Sequence, residues 1–159
     1  MIELTKQNLP EPVSVFRWFY ELNQIPRGSG NEKGVSDWLL SVAKGMNLEA
    51  HQDKAHNIII KKPASKGYEA APAVILQGHM DMVCEKVAES THDFEKDPIR
   101  MLIDGDTLRA DGTTLGGDDG LAVAYALALL EDEKLVHPAL EVLITTNEET
   151  GMDGAMAIH

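Results

Sequence analysis

A chain of 159 residues with 43% hydrophobic residues is long enough for one globular domain that buries about 70% of its unfolded surface. The formal net charge of −12 at pH 7 argues against binding to nucleic acid or to anionic membranes, because both need clustered cations. The single cysteine, Cys84, excludes an intrachain disulfide, and we interpret it as a packed or surface thiol.

The chain start and the hydropathy predict a cytoplasmic protein. The first residues lack the basic segment and the apolar stretch of a signal peptide. No apolar run approaches the length of a membrane span, so we expect no membrane partner.

Two helices are predicted before the first strand. Residues 12–24 have proline in the first turn and an apolar residue every three or four positions. A second helix is predicted to begin with Asn31 as its N-cap and to end at Gly45. The inward-facing residues are Val15, Phe16, Phe19 and Leu22 in the first helix and Val35, Trp38, Leu39 and Val42 in the second.

Short strands follow these helices. Residues 48–54 and 57–62 predict two of them, and the apolar run at 73–76 is typical of a strand buried on both faces. Residues 99–103 and 107–110 are separated by a short glycine-containing turn, which predicts a hairpin.

The last forty residues complete an α/β pattern. Residues 120–130 are apolar on nearly every side and predict a buried helix, followed by a strand at 140–145 and another helix from Gly151. The element order predicts an α/β fold with a layered sheet flanked by helices. The chain stops inside an apolar helical pattern without a stop signal, so we expect a truncated chain.

Three segments place metal-ligand residues where a predicted strand runs into a glycine-containing loop. They are residues 77–82, 115–120 and 145–151. In open α/β folds the carboxyl edge of the sheet is where ligands bind. The sequence therefore predicts a metal centre at that edge.

His79 and Asp81 are two residues apart and face the same side of a continuing strand. One ring nitrogen of His79 can then bind a metal while Asp81 accepts a hydrogen bond from the other. The alternative is a histidine at a strand end with a solvating aspartate. The pair alone is weak support for a metal site.

Asp118 and Asp119 follow Gly116 and Gly117 and precede the predicted buried helix. A carboxylate here can bridge two cations. The alternative is a helix N-cap, because acidic residues near a helix N-terminus are favoured by free N–H groups and the dipole.

Glu148 and Glu149 are adjacent carboxylates just past the last strand. Both reach one centre only where the backbone leaves the sheet, which the following Gly151 favours. One carboxylate would then bind metal while the other takes a proton from metal-bound water. The alternative is a solvated acidic loop.

At these residues the chain resembles the di-zinc metallopeptidase family of carboxypeptidases, aminoacylases and dipeptidases, and within it the bacterial aminoacyl-histidine dipeptidases (Xaa-His dipeptidase, peptidase D). The matching motifs span essentially the whole chain. They are residues 25–32, 57–63, 76–83, 97–99, 112–116, 137–138 and 147–152.

The resemblance implies a role for each matching site residue. His79 is similar to a terminal zinc ligand, and Asp81 to the residue that orients it. Asp118 is similar to the carboxylate that bridges two zinc ions, and its bond to the next residue is typically cis in this family. Glu149 is similar to a ligand of the second zinc, and Glu148 to the general base.

The resemblance also implies what the protein does and what this chain lacks. It implies zinc-dependent hydrolysis of dipeptides, characteristically Xaa-His, by a metal-bound hydroxide, with Co²⁺ or Mn²⁺ as other possible metals. The family has two further metal ligands and a lid or dimerisation domain that are not found within residues 1–159, so we expect an N-terminal portion of a catalytic domain from a homodimeric protein. Asp119 departs from the asparagine more usual there.

Two other functions stay open from the residues. One is a truncated, catalytically inactive fragment that binds a cation. The other is a magnesium-dependent phosphotransfer domain, which would not need His79 and for which the sequence offers no phosphate-binding loop.

Overall fold

A computed structural model describes residues 1–158 as seven strands and five helices. The helices are α1 (Val13–Leu22), α2 (Lys33–Gly45), α3 (Gly117–Glu131), α4 (Glu148–Gly151) and α5 (Asp153–Met156). The strands are β1 (Ile2–Glu3), β2 (Glu49–Gln52), β3 (Ile58–Lys62), β4 (Val74–His79), β5 (Met101–Asp104), β6 (Thr107–Ala110) and β7 (Leu140–Thr145).

The main sheet has four strands in the order β2-β3-β7-β4. β3 pairs antiparallel with both β2 and β7, whereas β4 and β7 run parallel. The parallel pair places Val74 opposite Leu140 and His79 opposite Thr145. Both strands therefore end together at one edge of the sheet.

A second sheet is built around the predicted hairpin. β5 and β6 pair antiparallel with Asp104 opposite Thr107, which confirms the hairpin, and β1 adds to the other side of β5. This three-stranded sheet is separate from the main sheet, so the chain is not one uninterrupted layer.

The helices cover the main sheet and enclose the core. α3 packs between α1 and β4, and α2 packs against β2 and β3. Fully buried residues join these layers, among them Phe19, Leu39, Ile60, Leu127 and Ile144. The predicted α/β fold with a sheet flanked by helices is confirmed.

The prediction that residues 73–76 form a strand buried on both faces is wrong. Within residues 1–158, β4 lies at an end of the main sheet and pairs with β7 alone, so Val74 is 42% exposed and Ile75 65% exposed. Apolar composition predicted the strand but not its position in the sheet, because position depends on pairing between distant segments.

Two helix boundaries also differ from the prediction. Asn31 is not the N-cap of α2: that position is taken by Glu32, whose side chain makes no capping hydrogen bond. The last helical region begins at Glu148 rather than at Gly151, and Met152 in the left-handed conformation (φ 62°) divides it into α4 and α5.

Helix α3 is buried along most of its length, as predicted, although Tyr125 on it is 52% exposed. Within residues 1–158, no helix is both long and apolar enough to cross a membrane.

Candidate metal centre

The site forms because two parallel strands end side by side. His79 closes β4 opposite Thr145, which closes β7, and the Met80 amide still donates to the Thr145 carbonyl at 2.9 Å. The segments that follow these strands therefore leave the sheet next to each other. This is the carboxyl edge at which open α/β sheets bind their ligands.

His79 lies at the centre of the cluster and is 6% exposed. Its Nε2 is 3.1 Å from Asp118 Oδ1 and 3.7 Å from Glu148 Oε2. Its Nδ1 is 3.1 Å from the backbone carbonyl of Asp81 and 3.4 Å from Asp81 Oδ1. One ring nitrogen thus faces the acidic side chains, and the other is held by Asp81, mainly through the main chain.

Asp81 is fully buried and connects the end of β4 to α4. Its Oδ1 accepts a hydrogen bond from the Glu148 amide at 3.1 Å, and its Oδ2 accepts one from the Glu149 amide at 3.2 Å. Oδ2 also accepts the Ser29 hydroxyl at 2.7 Å. The Asp81 side chain therefore fixes the backbone that carries both glutamates.

The backbone leaves the sheet at Asn147, whose φ of 55° turns the chain directly from β7 into α4. On this short helix, oxygens of Glu148 and Glu149 lie with a ring nitrogen of His79 so that the three atoms are all within 4.8 Å of one another. Two adjacent glutamates thus reach one centre because they are helical, not extended.

Asp118 and Asp119 approach the same histidine from the start of α3. Their peptide bond is cis, as the resemblance implied, and both residues have non-helical φ and ψ. The Asp119 Oδ2 accepts the His79 amide at 3.1 Å. Within residues 1–158 neither carboxylate accepts a hydrogen bond from the first turn of α3, so the N-cap alternative is wrong.

The predicted metal ligands do not all lie equally close to one another. The mutual 4.8 Å cluster holds His79, Glu148 and Glu149, whereas Asp118 joins it only through its contact with His79. The Asp118 side chain is 86% exposed. Of the predicted ligands, Asp118 thus contacts His79 at 3.1 Å from the open side of the site, and Glu149 offers an oxygen within 4.8 Å of a ring nitrogen of His79.

Burial and neighbouring charges shift the pKa values of the side chains in the cluster. Burial alone would lower the pKa of His79, but Asp81 and the contact with Asp118 outweigh burial and raise it. Desolvation raises the pKa of Glu149, and the neighbouring charges of Asp118 and Glu148 add to that rise. Burial likewise raises the pKa of Asp119. In the part of the chain that the structure describes, four acidic side chains surround the single imidazole of His79: Asp118, Asp119, Glu148 and Glu149.

One imidazole nitrogen with several carboxylate oxygens is a donor set that suits Zn²⁺, Co²⁺ or Mn²⁺. Desolvation raises the pKa of Glu149 and the charges of Asp118 and Glu148 add to that rise; a bound cation would offset those charges. The residues present therefore fit a divalent metal on both donor chemistry and charge.

The sequence prediction missed the residues that support this cluster. Ser29 and Glu32 contact the site segments, as does Asn57, whose side-chain oxygen accepts the Thr146 amide at 3.1 Å. Their one signal in the sequence is that they lie in motifs shared with the metallopeptidases, at residues 25–32 and 57–63.

Comparisons with known proteins agree on one family of proteins. The model of peptidase family M20/M25/M40 matches residues 75–159. The chain is 43% identical to the cytosol non-specific dipeptidase of Escherichia coli, with all of this chain and 32% of that protein covered.

Solved structures share the fold. The aminoacylhistidine dipeptidase from Vibrio alginolyticus superposes with a TM-score of 0.93 at 37% identity, over 98% of this chain and 31% of that one. The YXEP protein of Bacillus subtilis, described as a dinuclear metal binding peptidase, shares only the fold, with a TM-score of 0.52 at 14% identity over 85% of this chain and 35% of that one. The chain spans about a third of the length of these relatives. It belongs to peptidase family M20/M25/M40.

Proposed function

We propose that this chain carries the metal-binding part of a metal-dependent dipeptidase. The observation that carries the proposal is the cluster of His79, Glu148 and Glu149, with Asp118 at 3.1 Å from the same histidine. A phosphotransfer domain would not need a buried histidine among its carboxylates, so this cluster favours the peptidase.

Each side chain has a role in the proposal. His79, Asp118 and Glu149 bind the metals, and Asp81 orients His79. Glu148 acts as the general base that takes a proton from the attacking water and passes it to the leaving amine. The metals, when bound, supply a Lewis acid and lower the pKa of water.

The finer features are proposals supported by the relatives. The printed names of two relatives are a non-specific dipeptidase and an aminoacylhistidine dipeptidase, which supports a dipeptide substrate and, as one specificity, Xaa-His. Zinc is the proposed metal because nitrogen and carboxylate ligands suit it. A cytoplasmic location stays a prediction, as do the absence of a nucleic-acid partner and a homodimer.

We also propose that residues 1–159 are one portion of a larger catalytic domain. The share of the relatives that the chain covers supports this, as does the exposed apolar edge at Val74 and Ile75. Full activity would then require the remaining metal ligands and the lid domain, and the 159-residue chain alone would bind metal without turnover. Sequencing the reading frame beyond His159 tests the proposal directly.

The test of function is Glu148→Gln in the complete protein. Loss of the base is expected to lower the turnover of a dipeptide such as carnosine by about 10²- to 10⁴-fold while zinc content stays unchanged. Glu133→Gln is the matched control, because Glu133 is an exposed glutamate in the loop between α3 and β7.

Three outcomes separate the possibilities. Unchanged turnover would remove Glu148 from the role of base. A fall in zinc content would make Glu148 a metal ligand, as its place in the cluster permits. A complete wild-type protein that binds zinc but hydrolyses no dipeptide would contradict the dipeptidase proposal.

A further inference from the structure

We propose that one loop, residues 27–32 between α1 and α2, holds the three metal-binding segments in position, and we call it the clamp loop. Arg27, Ser29 and Glu32 are its positioning residues. The inference rests on the proposed function, because it concerns how the same metal centre keeps its shape. Arg27 contacts two of the three segments, Ser29 contacts one of those two, and Glu32 contacts the third.

Arg27 joins the His79 segment to the Asp118 segment. It is 1% exposed, and its guanidinium donates to the Met80 carbonyl at 3.1 Å and to the Gly116 carbonyl at 2.7 Å. Met80 lies between His79 and Asp81, and Gly116 lies two residues before Asp118. Burial lowers the pKa of Arg27 to about 10, so the side chain stays charged at neutral pH.

Gly116 shows how close this contact is. It has a φ of 67°, and a Cβ at this position would overlap the guanidinium of Arg27. The turn before Asp118 therefore rests directly on the clamp loop, and its path depends on the position of Arg27.

Ser29 holds the carboxylate that orients the other segments. Its hydroxyl donates to Asp81 Oδ2 at 2.7 Å, on the same oxygen that accepts the Glu149 amide. The main chain of the loop runs beside this segment, because the Met82 amide donates to the Arg27 carbonyl at 3.1 Å. Ser29 thus restricts the rotation of the Asp81 side chain.

Glu32 holds the third segment. It is 7% exposed, and its Oε1 accepts the Asn147 amide at 3.0 Å. Asn147 is the left-handed residue at which the chain turns from β7 into α4. A buried carboxylate that makes no capping bond in its own helix is therefore used to fix the start of the helix that carries Glu148 and Glu149.

The contacts of Arg27, Ser29 and Glu32 together explain why a single loop matters for metal binding. The ligands His79, Asp118 and Glu149 come from segments far apart in the sequence, and their carboxylates repel one another without a cation. The clamp loop opposes that repulsion with at least one side-chain hydrogen bond to each segment. Residues that hold metal ligands in position by hydrogen bonds typically contribute 10- to 100-fold to metal affinity.

The test compares Ser29→Ala and Glu32→Ala with wild type, using Co²⁺ as the metal. Each variant is expected to weaken Co²⁺ binding by about 10-fold or more and to change the visible absorption bands of the bound ion. Asn31→Ala is the matched control: Asn31 is exposed, and within residues 1–158 its side chain makes no hydrogen bond. It should leave affinity and spectrum unchanged.

A second readout needs no metal. In the metal-free protein, amide hydrogen exchange at Glu149 should accelerate in Ser29→Ala, and exchange at Asn147 should accelerate in Glu32→Ala, which removes the acceptor of the Asn147 amide. Exchange in the central strand β3 should not change in either variant. A merely structural role would instead accelerate exchange throughout the sheet.

Arg27 is tested with Arg27→Lys, because removal of a buried charged side chain can prevent folding. Lysine keeps the charge but cannot bond both carbonyls in a planar fork, so weaker Co²⁺ binding with retained folding is expected. Wild-type Co²⁺ affinity and local exchange in both Ser29→Ala and Glu32→Ala would overturn the clamp proposal. A wild-type protein that binds no Co²⁺ would instead refute the proposed function. Amide hydrogen exchange in the metal-free protein would still test the clamp proposal.

Discussion

Asp81 is the residue on which most of the site geometry depends. A fully buried carboxylate accepts three hydrogen bonds, from the Glu148 amide, the Glu149 amide and the Ser29 hydroxyl, while its backbone carbonyl contacts His79. An ionised carboxylate can accept on both oxygens, whereas an amide side chain offers only one acceptor. The charge of Asp81, not only its shape, therefore organises the centre.

Asp81→Asn tests this dependence on charge. The amide group would face an N–H or O–H donor, so we expect a loss of about 1–3 kcal/mol in the free energy of unfolding and about 10- to 100-fold weaker zinc binding. Urea unfolding and zinc titration measure the two effects. Asp106→Asn in the exposed turn between β5 and β6 is the control and should change neither; equal losses in both variants would contradict the specific role of Asp81.

At the scale of single residues, the sequence predicted the chemical type of the site better than it predicted the contacts between its side chains. The residue types and spacing of His79, Asp81, Glu148 and Glu149 indicated a metal centre, and the structure brings these side chains together. The sequence did not predict that Asp81 bonds the glutamate amides, because that contact joins positions 67 and 68 residues apart. Nor did it predict the roles of Ser29 and Glu32, for the same reason.

At the scale of elements, the parallel pairing of β4 and β7 creates the site and also leaves an exposed edge. The carboxyl ends of the two strands bring His79 next to the start of α4. The outer side of β4 has no strand beside it within residues 1–158, and Ile75 is 65% exposed there. An apolar strand edge without charged residues favours pairing with another chain.

Ile75→Lys tests the edge. The charged side chain should reduce self-association of the 159-residue chain, as measured by sedimentation at several protein concentrations. The free energy of unfolding should stay within about 0.5 kcal/mol, because the substitution is at the surface. Val136→Lys is the control, since Val136 is 60% exposed but lies outside the strands. An equal reduction by Val136→Lys would show that general hydrophobicity, not the edge, causes the association.

At the scale of the whole molecule, the proposed metal centre connects parts of the chain that only folding brings together. The proposed ligands come from the end of β4, the start of α3 and the helix after β7. A cation that binds all three should therefore stabilise the folded chain against unfolding, because the unfolded chain does not present the ligands together.

Zinc is expected to raise the melting temperature of the protein. At free zinc 100-fold above its dissociation constant, the added stability is about 2.7 kcal/mol, which corresponds to roughly 5–10 °C for a chain of this size. Differential scanning calorimetry with zinc, and again after chelation with EDTA, measures the shift. His79→Gln should abolish it; an undiminished shift in that variant would mean that the zinc binds elsewhere.

The sequence alone determined the α/β class, the positions of most helices and strands, and the chemical character of the site, because periodicity and ligand type are local properties of the chain. Only the tertiary structure decided that β4 lies at a sheet edge, that Asp118 and Asp119 do not cap α3, and that residues 27–32 support all three site segments. Each of these features depends on pairing between segments distant in sequence, and hydrophobic pattern specifies the elements without specifying their neighbours.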